Sequence, residues 1–319
     1  MGVSMWLVIP CFNEQEILDY TIECLDNKMQ KLVDSGIISD ESKMVFIDDG
    51  STDETWGIIT EASQRYKRIV GLKLAHNKGH QNALLAGMMY VKDKCDCMIS
   101  MDADLQDDID VLEQFVMKYN EGAQIVYGIR NDRRTDSKFK RVTANLFYKL
   151  MKVLGAETIN NHADYRLMGR QALEALEEYE ETTLFLRGIV PIIGMKTDRV
   201  FYERKERKAG KTKYPFVKMA GFALDGITSF SVKPLRLIAL LGVLFSGISI
   251  LGLIYALASY FFGYTVPGWT AIVFSIWLLG GIQLLCIGVV GEYIGKIFSE
   301  VKRRPRYYIE KEVKFECKK

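Results

Sequence analysis

Residues 99–108 have the sequence ISMDADLQDD, in which an apolar, strand-like run passes directly into four aspartates and one glutamine. A parallel sheet binds its ligands beyond the carboxyl ends of its strands, which is where these side chains would lie. Side chains of an extended segment alternate between two faces, so Asp102 and Asp104 can share one face. With Gln106 they offer three oxygen ligands, which suits Mg²⁺ or Mn²⁺. The stretch therefore predicts a divalent-metal site at the end of a buried strand.

The first 200 residues alternate short apolar runs with longer mixed segments of helical spacing. The runs are as apolar as strands that are buried on both faces of a parallel sheet. The expected fold is therefore α/β and Rossmann-like, with a mostly parallel sheet covered by helices. The predicted strands are 5–10, 44–48, 69–74, 97–101 and 124–127, and the predicted helices are 15–33, 53–66, 79–91 and 109–119.

Polar clusters follow the first four predicted strands and should converge on one edge of the sheet. Single members such as Asn13 or Asp53 have a simpler explanation as helix caps. Capping uses one side chain, so it does not explain the adjacent carboxylates of Asp48 and Asp49, which repel each other. The clusters are PCFNE at 10–14, DDGSTD at 48–53, HNKGH at 76–80 and DADLQ at 102–106.

The C-terminal third has a different composition. Residues 237–291 contain no Asp, Glu, Lys or Arg, although 26% of the chain is charged. About 20 apolar helical residues cross a bilayer core, and the turn-forming run GYTVPG at 263–268 divides this window. We predict a transmembrane hairpin with helices at about 235–262 and 269–298. Two buried helices of a soluble core are the alternative, but core helices usually keep a polar edge.

Basic residues flank the predicted hairpin on both sides, and its short connection is uncharged. The positive-inside rule therefore places both flanks and the N-terminal region in the cytosol. The first residues lack a basic segment followed by a long apolar one, so no signal peptide is expected. The chain is therefore expected to lie in a membrane that it crosses more than once.

Several motifs of this sequence resemble, in order and at the expected strand ends, those of the family-2 glycosyltransferases with a GT-A fold. They are VIPCFNEQE (8–16), DDGSTDET (48–55), HNKGHQNALLAG (76–87) and MDADLQDD (101–108). Two further motifs and the predicted hairpin make the chain similar to the polyprenyl-phosphate glycosyltransferases, the branch with dolichol-phosphate mannose synthases and bacterial undecaprenyl-phosphate glucosyltransferases. These motifs are DYRLMGR (164–170) and RKAGKTKY (207–214). Position 108 departs from the pattern, because relatives often have proline where this chain has Asp108.

The resemblance implies that a sugar is transferred, with inversion, from a nucleotide donor to a polyprenyl phosphate at the cytosolic membrane face. UDP-glucose is the leading candidate for the donor. The transferred sugar could also be N-acetylglucosamine, galactose or mannose. The resemblance also admits assembly as a homo-oligomer such as a tetramer. It divides the chain into a cytosolic GT-A domain at 1–213, an amphipathic interfacial segment at 214–234, the hairpin at 235–298 and a basic cytosolic tail at 299–319.

The resemblance and the chemistry of phosphate together give each candidate residue a role. The predicted catalytic residues are Asp104, Asp164 and Arg166, and the predicted metal ligands are Asp102, Asp104 and Gln106. The nucleotide sugar is assigned to Pro10, Asn13, Glu14, Asp49, Lys78, Asp102, Arg207 and Lys213. The acceptor phosphate is assigned to Arg130, Arg133 and Arg166, since guanidinium groups match phosphate geometry.

Some roles have alternatives. Asp164 either orients Arg166 or lies near the acceptor as a weak base, and we expect no dedicated base because the acceptor is already a phosphate dianion. Arg130 and Arg133 could belong to a solvated loop. The basic segment at 204–214 either contacts anionic lipid or closes over the diphosphate.

Three rival functions are disfavoured. A processive polysaccharide synthase would be expected to contain a Q-x-x-R-W motif for the growing chain, which this sequence lacks. A membrane scaffold with a decayed site would not be expected to keep its carboxylates. A nucleic-acid binder is disfavoured because the basic segment adjoins the predicted membrane region and lacks interleaved stacking aromatics.

Overall fold

The computed structural model describes residues 2–130, 162–181, 185–203 and 268–315, with individual residues between 235 and 262. The chain divides into two compact units. The first comprises Met1–Asn145, Thr158–Lys213 and Arg304–Lys319, and the second comprises Leu146–Glu157 and Tyr214–Arg303. Several predicted site residues lie outside the described residues: Arg133, Arg207 and Lys213.

The first unit contains an eight-stranded sheet in the order β7-β5-β6-β4-β1-β2-β3-β8. Neighbours β1–β2, β2–β3, β1–β4 and β5–β7 are parallel, whereas β6 is antiparallel to both of its neighbours and β8 is antiparallel to β3. The prediction of a mostly parallel α/β sheet is therefore confirmed. The strands are β1 Met5–Cys11, β2 Met44–Asp48, β3 Ile69–Leu74, β4 Cys97–Ser100, β5 Ile125–Arg130, β6 His162–Gly169, β7 Thr197–Tyr202 and β8 Ile309–Lys314.

Helices cover the sheet because each presents an apolar face to it. In α1 the buried residues Leu18, Ile22, Leu25, Met29 and Leu32 recur at helical spacing. Each fully buried side chain of this size contributes about 1.5–3 kcal/mol relative to exposure. The helices among the described residues of this unit are α1 Leu18–Asp34, α2 Thr55–Arg65, α3 His80–Val91, α4 Leu112–Asn120, α5 Arg170–Glu177 and α6 Leu186–Ile192, and a 3-10 turn lies at Ile109–Val111.

Strand β8 lies within the predicted C-terminal tail. The sequence placed residues 299–319 in a basic cytosolic tail, but Ile309–Lys314 pairs with β3 at the edge of the sheet. The Tyr90 hydroxyl also donates a hydrogen bond to Glu312 at 2.9 Å. The strand has the sequence IEKEVK and most of it is exposed, so it lacks the continuous apolar run that identified the central strands.

The second unit contains α7, Trp269–Val301, which covers the second predicted span. Within the described part of the chain, Leu279–Val301 is the one helical stretch whose length and composition would allow it to cross a membrane. Individual residues described between 235 and 258 are helical. The two-helix hairpin stays a prediction, as does the interfacial segment at 214–234, which lies outside the described residues.

Candidate active site

The loops after β1 and β2 are joined by hydrogen bonds between side chains and backbone. The Asn13 N–H donates to Ser51 Oγ at 3.0 Å, and Asn13 Oδ1 accepts from the Thr52 N–H at 2.9 Å. The Glu14 N–H donates to Thr55 Oγ1 at 2.9 Å. Asn13 has a φ of 55°, a left-handed conformation that asparagine adopts more readily than most residues. These contacts bring the predicted nucleotide-binding residues to one edge, next to Pro10 at the end of β1.

Asp53 precedes Glu54, the N-cap residue of α2, and accepts backbone hydrogen bonds beside the start of that helix. Its Oδ1 accepts from the Thr55 N–H at 3.0 Å at the start of α2, and its Oδ2 accepts from the Gln15 N–H at 3.2 Å. Gln15 Oε1 in turn accepts from the Glu54 N–H at 3.0 Å. The two loops therefore satisfy each other's backbone donors.

The adjacent carboxylates of Asp48 and Asp49 have different partners. Asp48 Oδ1 accepts from the Ser51 N–H at 3.0 Å. Asp49 is buried and accepts from the N–H groups of Lys78 at 2.7 Å and Gly79 at 2.9 Å. Burial raises the pKa of Asp49, and these two backbone hydrogen bonds oppose the increase. Asp49 and Lys78, both assigned to the nucleotide sugar, are thus brought together at the entry to α3.

The aspartate loop after β4 is held from several sides. Asp104 is buried, and its Oδ1 accepts from the Gln106 N–H at 3.1 Å. The carbonyl of Ala103 accepts from the Thr21 hydroxyl of α1 at 2.7 Å. Leu105 has a φ of 52°, so the backbone turns sharply between the predicted metal ligands Asp104 and Gln106. The loop is therefore fixed in position by its own contacts.

Asp102 lies in a crowded acidic environment. Burial and the charges of Asp107, Asp164 and Asp104 raise the pKa of Asp102 to about 6. The charge of His80 opposes this increase. A divalent cation would relieve this repulsion, so the donor set fits Mg²⁺ or Mn²⁺. Across the described ranges, no group of three His, Cys, Asp or Glu side chains could hold a metal by itself. A bound ion would need the Gln106 amide, water or substrate phosphate to complete its shell.

Strand β6 places a second charged cluster beside this loop, because Ser100 of β4 pairs with Arg166 of β6. The Asp164 carboxylate accepts from Arg166 Nη2 and from Arg187, whose Nε and Nη2 lie at 3.3 and 3.0 Å. His80 Nε2 lies 3.6 Å from Asp164 and 3.7 Å from Asp102. The histidine therefore stands between the two acidic groups.

The charges around Asp164 bear on its two predicted roles. Burial raises the pKa of Asp164, but the hydrogen bond with His80 and the charges of Arg166 and Arg187 outweigh it and hold this pKa well below its usual value. A carboxylate that is this strongly stabilised in its ionised form is a poor base. The geometry therefore favours an orienting role for Asp164.

The predicted acceptor role of Arg166 has to be corrected. Its side chain is 0% exposed, and its Nη1 donates to the backbone carbonyl of Leu186 at 3.4 Å. A guanidinium with no exposed surface cannot reach the phosphate of a lipid that approaches from outside. Arg166 instead holds Asp164 and the start of α6 in place.

Arg130 also has protein partners. Its Nε donates to the Tyr202 hydroxyl at 3.2 Å, and its Nη2 lies 3.5 Å from Asp107 Oδ1. The Tyr202 hydroxyl donates to the same Asp107 oxygen at 2.6 Å. Asp107 is therefore a buried anchor of the aspartate loop, whereas Asp108 accepts from the Asp110 N–H and caps the 3-10 turn.

The sequence did not identify two residues of this cluster, His80 and Arg187. His80 lies within a motif whose position at the edge was expected, so its location was available as a signal. Arg187 lies in LFLRG, a short apolar stretch that has no recognisable charge pattern. Its place beside Asp164 follows only from the packing of α6.

The family model for glycosyl transferase family 2 matches residues 6–177. This is more than half of the chain, so the protein belongs to glycosyl transferase family 2 and is a glycosyltransferase. Its fold and the acidic edge of its sheet agree with that class.

Relatives resemble the chain over nearly its whole length. The uncharacterized glycosyltransferase YkoT of Bacillus subtilis is 54% identical over 304 residues, which cover 95% of this chain and 90% of that protein. The SfII prophage-derived bactoprenol glucosyl transferase of Shigella flexneri is 40% identical over 307 residues, or 96% and 97% of the two chains.

A solved structure is similar at a greater distance. Glucosyl-3-phosphoglycerate synthase from Mycobacterium tuberculosis, in complex with Mn²⁺ and UDP, has a TM-score of 0.43 and 15% identity, covering 71% of this chain and 78% of that one. A likeness this distant gives no information about the substrate or metal of this protein.

Proposed function

We propose that this protein transfers glucose from UDP-glucose, with inversion, to a polyprenyl phosphate such as undecaprenyl phosphate. The observation that carries the proposal is the juxtaposition of the aspartate loop with the Asp164 cluster at one edge of the sheet, with His80 between Asp102 and Asp164. Relatives named bactoprenol glucosyl transferase, 40% identical over nearly the full chain, support the glucosyl group and the lipid acceptor.

Asp102, Asp104 and Gln106 would hold Mg²⁺ or Mn²⁺, which when bound supplies Lewis-acid stabilisation of the leaving diphosphate. The loop contacts described above keep Asp104 in position before any ligand arrives, so little reorganisation is needed. Asp164 orients the cationic groups around it. A phosphate acceptor is already ionised, so the site needs no residue to remove a proton from it.

The donor nucleotide is proposed to lie over the ends of β1 and β2. Pro10, Asn13, Glu14, Asp49 and Lys78 would line this part of the site. Hydrogen bonds between their loops give it a fixed shape. A preorganised pocket of this kind loses less conformational entropy when a ligand binds.

The reaction is proposed to occur at the cytosolic face of the bacterial membrane. The lipid acceptor cannot leave the bilayer, so its phosphate has to meet a soluble nucleotide sugar at the surface. The apolar helix Leu279–Val301 supports membrane attachment. The remainder of the arrangement is a proposal: a cytosolic domain at 1–213, an interfacial segment at 214–234, spans at 235–262 and 269–298, and assembly as a homo-oligomer.

The test is a transfer assay on the full chain in detergent, with undecaprenyl phosphate, Mn²⁺ or Mg²⁺ and a panel of radiolabelled nucleotide sugars. We expect UDP-glucose to yield label that is extracted into organic solvent, and a chelator to abolish the product. A product from UDP-N-acetylglucosamine or GDP-mannose alone would change the sugar but keep the reaction. No product from any donor would contradict the function and favour a non-catalytic scaffold.

A further inference from the structure

Three arginines contact the acidic groups at the described part of this edge, and they differ in exposure. The side chain of Arg166 is 0% exposed. That of Arg130 is 29% exposed and is paired with Asp107, which is itself 2% exposed. That of Arg187 is 43% exposed although it pairs with Asp164. Arg187 therefore combines a fixed anionic partner with the largest contact with solvent of the three.

The orientation of Arg187 is fixed before any substrate binds. Asp164 contacts the guanidinium through both Nε and Nη2, which defines the plane of the group. The preceding residue, Leu186, donates its N–H to Gln81 Oε1 at 2.9 Å, so the first turn of α3 holds the start of α6. The neighbour of Gln81, His80, contacts Asp164. The side chain and the backbone of Arg187 are thus both positioned by α3 and β6.

The net charge of the cluster around Asp164 favours the binding of an anion at its exposed arginine. Asp164 carries one negative charge and is paired with two guanidinium groups, so this trio has a net positive charge. His80 connects the trio to Asp102, which with Asp104 would repel phosphate oxygens in the absence of a cation. The net positive charge of the trio therefore offsets the negative charge of Asp102 and Asp104, which favours the binding of a phosphate group beside Arg187.

We infer that Arg187 binds a phosphate group of a substrate, supplied either by the diphosphate of the donor or by the phosphate of the lipid acceptor. The inference rests on the proposed function and adds to it a substrate-binding residue. The guanidinium group presents paired donors that match phosphate oxygens, which an ammonium group does not.

The test compares Arg187→Gln and Arg187→Lys with the full-length wild type. Arg199→Gln is the matched control, because Arg199 is an exposed arginine on β7 of the same unit. Calorimetry with Mn²⁺ present measures the affinity of each protein for UDP and, separately, for a short-chain prenyl phosphate. Michaelis constants for donor and lipid acceptor are measured on the same preparations.

We expect Arg187→Gln to weaken one of the two affinities by about 10- to 100-fold, because a charge-assisted hydrogen-bond pair is lost. Arg187→Lys should lie between this variant and the wild type, since it keeps the charge and loses the fork. A selective loss for UDP identifies the donor diphosphate, and a selective loss for prenyl phosphate identifies the acceptor. Arg199→Gln should retain both affinities.

Affinities within twofold of the wild type for both ligands in both Arg187 variants would overturn the inference. If Arg187→Gln unfolds, Arg187→Lys decides, because it can still pair with Asp164. A wild type that binds either ligand but transfers no sugar contradicts the proposed function alone. A wild type that binds neither ligand contradicts both.

Discussion

The two polar clusters at the carboxyl edge differ in the partners that their side chains contact. After β1 and β2, the side-chain oxygens of Asn13, Ser51 and Asp53 accept hydrogen bonds from backbone N–H groups. At the end of β4 and the start of the antiparallel strand β6, charged groups contact other charged groups, as Asp164 does with Arg187. The first cluster is held together by these hydrogen bonds between side chains and backbone. The second contains Asp102, whose pKa is raised to about 6 by burial and by the charges of Asp107, Asp164 and Asp104.

Under the proposed function, we expect the reaction to occur at the second cluster. Hydrogen bonds to backbone donors stabilise a fold, and removing one has a local and modest cost. Crowded charges are unfavourable without a cation or a substrate, so they mark the part of the edge that a ligand has to complete. The clusters should therefore respond differently to substitution.

The largest effect is expected for Asp104→Asn. This change should lower sugar transfer at least about a thousandfold, or about 4 kcal/mol, because a charged metal ligand is lost. The fold should persist, since asparagine keeps an oxygen that can accept from the Gln106 N–H. Asp110→Asn is the matched control, because the Asp110 side chain is 71% exposed nearby and should retain full activity. Near-normal turnover in Asp104→Asn would remove the metal assignment.

The next effect concerns stability. Arg166→Met should lower the free energy of unfolding by about 3 kcal/mol, because one partner of a buried ion pair is removed while Arg187 still pairs with Asp164. Denaturant titration measures this loss. The protein that remains folded should keep a nearly normal Michaelis constant for lipid phosphate. If Arg166→Met kept its stability but had a strongly raised Michaelis constant for lipid phosphate, the acceptor role first predicted for Arg166 would be restored.

A smaller effect is expected for Tyr202→Phe. It removes the donor to buried Asp107 and should cost about 2 kcal/mol, together with a higher metal requirement because the aspartate loop loses an anchor. Tyr119→Phe is the control: its hydroxyl donates to the Asp96 carbonyl away from the loop, so it should cost no more than about 1 kcal/mol. Equal metal requirements in the two variants would show that Tyr202 does not position the loop.

The smallest effect is expected in the first cluster. Ser51→Ala removes the acceptor for the Asn13 N–H and should cost about 1 kcal/mol in thermal or chemical unfolding. Ser51→Thr keeps a hydroxyl and should lose less. Sugar transfer at saturating donor should stay within about threefold in both variants, which corresponds to less than 1 kcal/mol. A loss of activity as large as that of Asp104→Asn would erase the contrast between the clusters.

The central sheet could be predicted from the sequence because its strands are buried on both faces. Strands β2 and β3 begin and end at the predicted residues, and β1 and β4 differ from the prediction by one residue at one end. Strands β6, β7 and β8 were not among the predicted strands. Residues 164–169 of β6 are buried, but the charged residues of HADYRLMG interrupt its apolar run. Strands β7 and β8 are largely exposed at the edges of the sheet and also have no continuous apolar run. Propensity and periodicity do not identify such strands, whose pairing depends on the rest of the fold.

The acidic loop of the site could also be predicted, since carboxylates that follow a buried strand have a recognisable pattern. The burial of Arg166 could not, because its sequence neighbours do not reveal that Asp164 and the Leu186 carbonyl enclose it. Arg187 was missed for the same reason. Its partner lies 23 positions away and is reached only when α6 packs beside β6.

The central claim is that the charged cluster at the end of β4 and the start of β6 needs a cation, while the cluster after β1 and β2 does not. Calorimetric titration of Mn²⁺ into the UDP-saturated protein tests it most directly, with wild type, Asp104→Asn and Ser51→Ala measured side by side. We predict that wild type and Ser51→Ala bind the ion with similar affinity, and that Asp104→Asn shows no measurable binding. Equal Mn²⁺ affinity in all three proteins would contradict the claim.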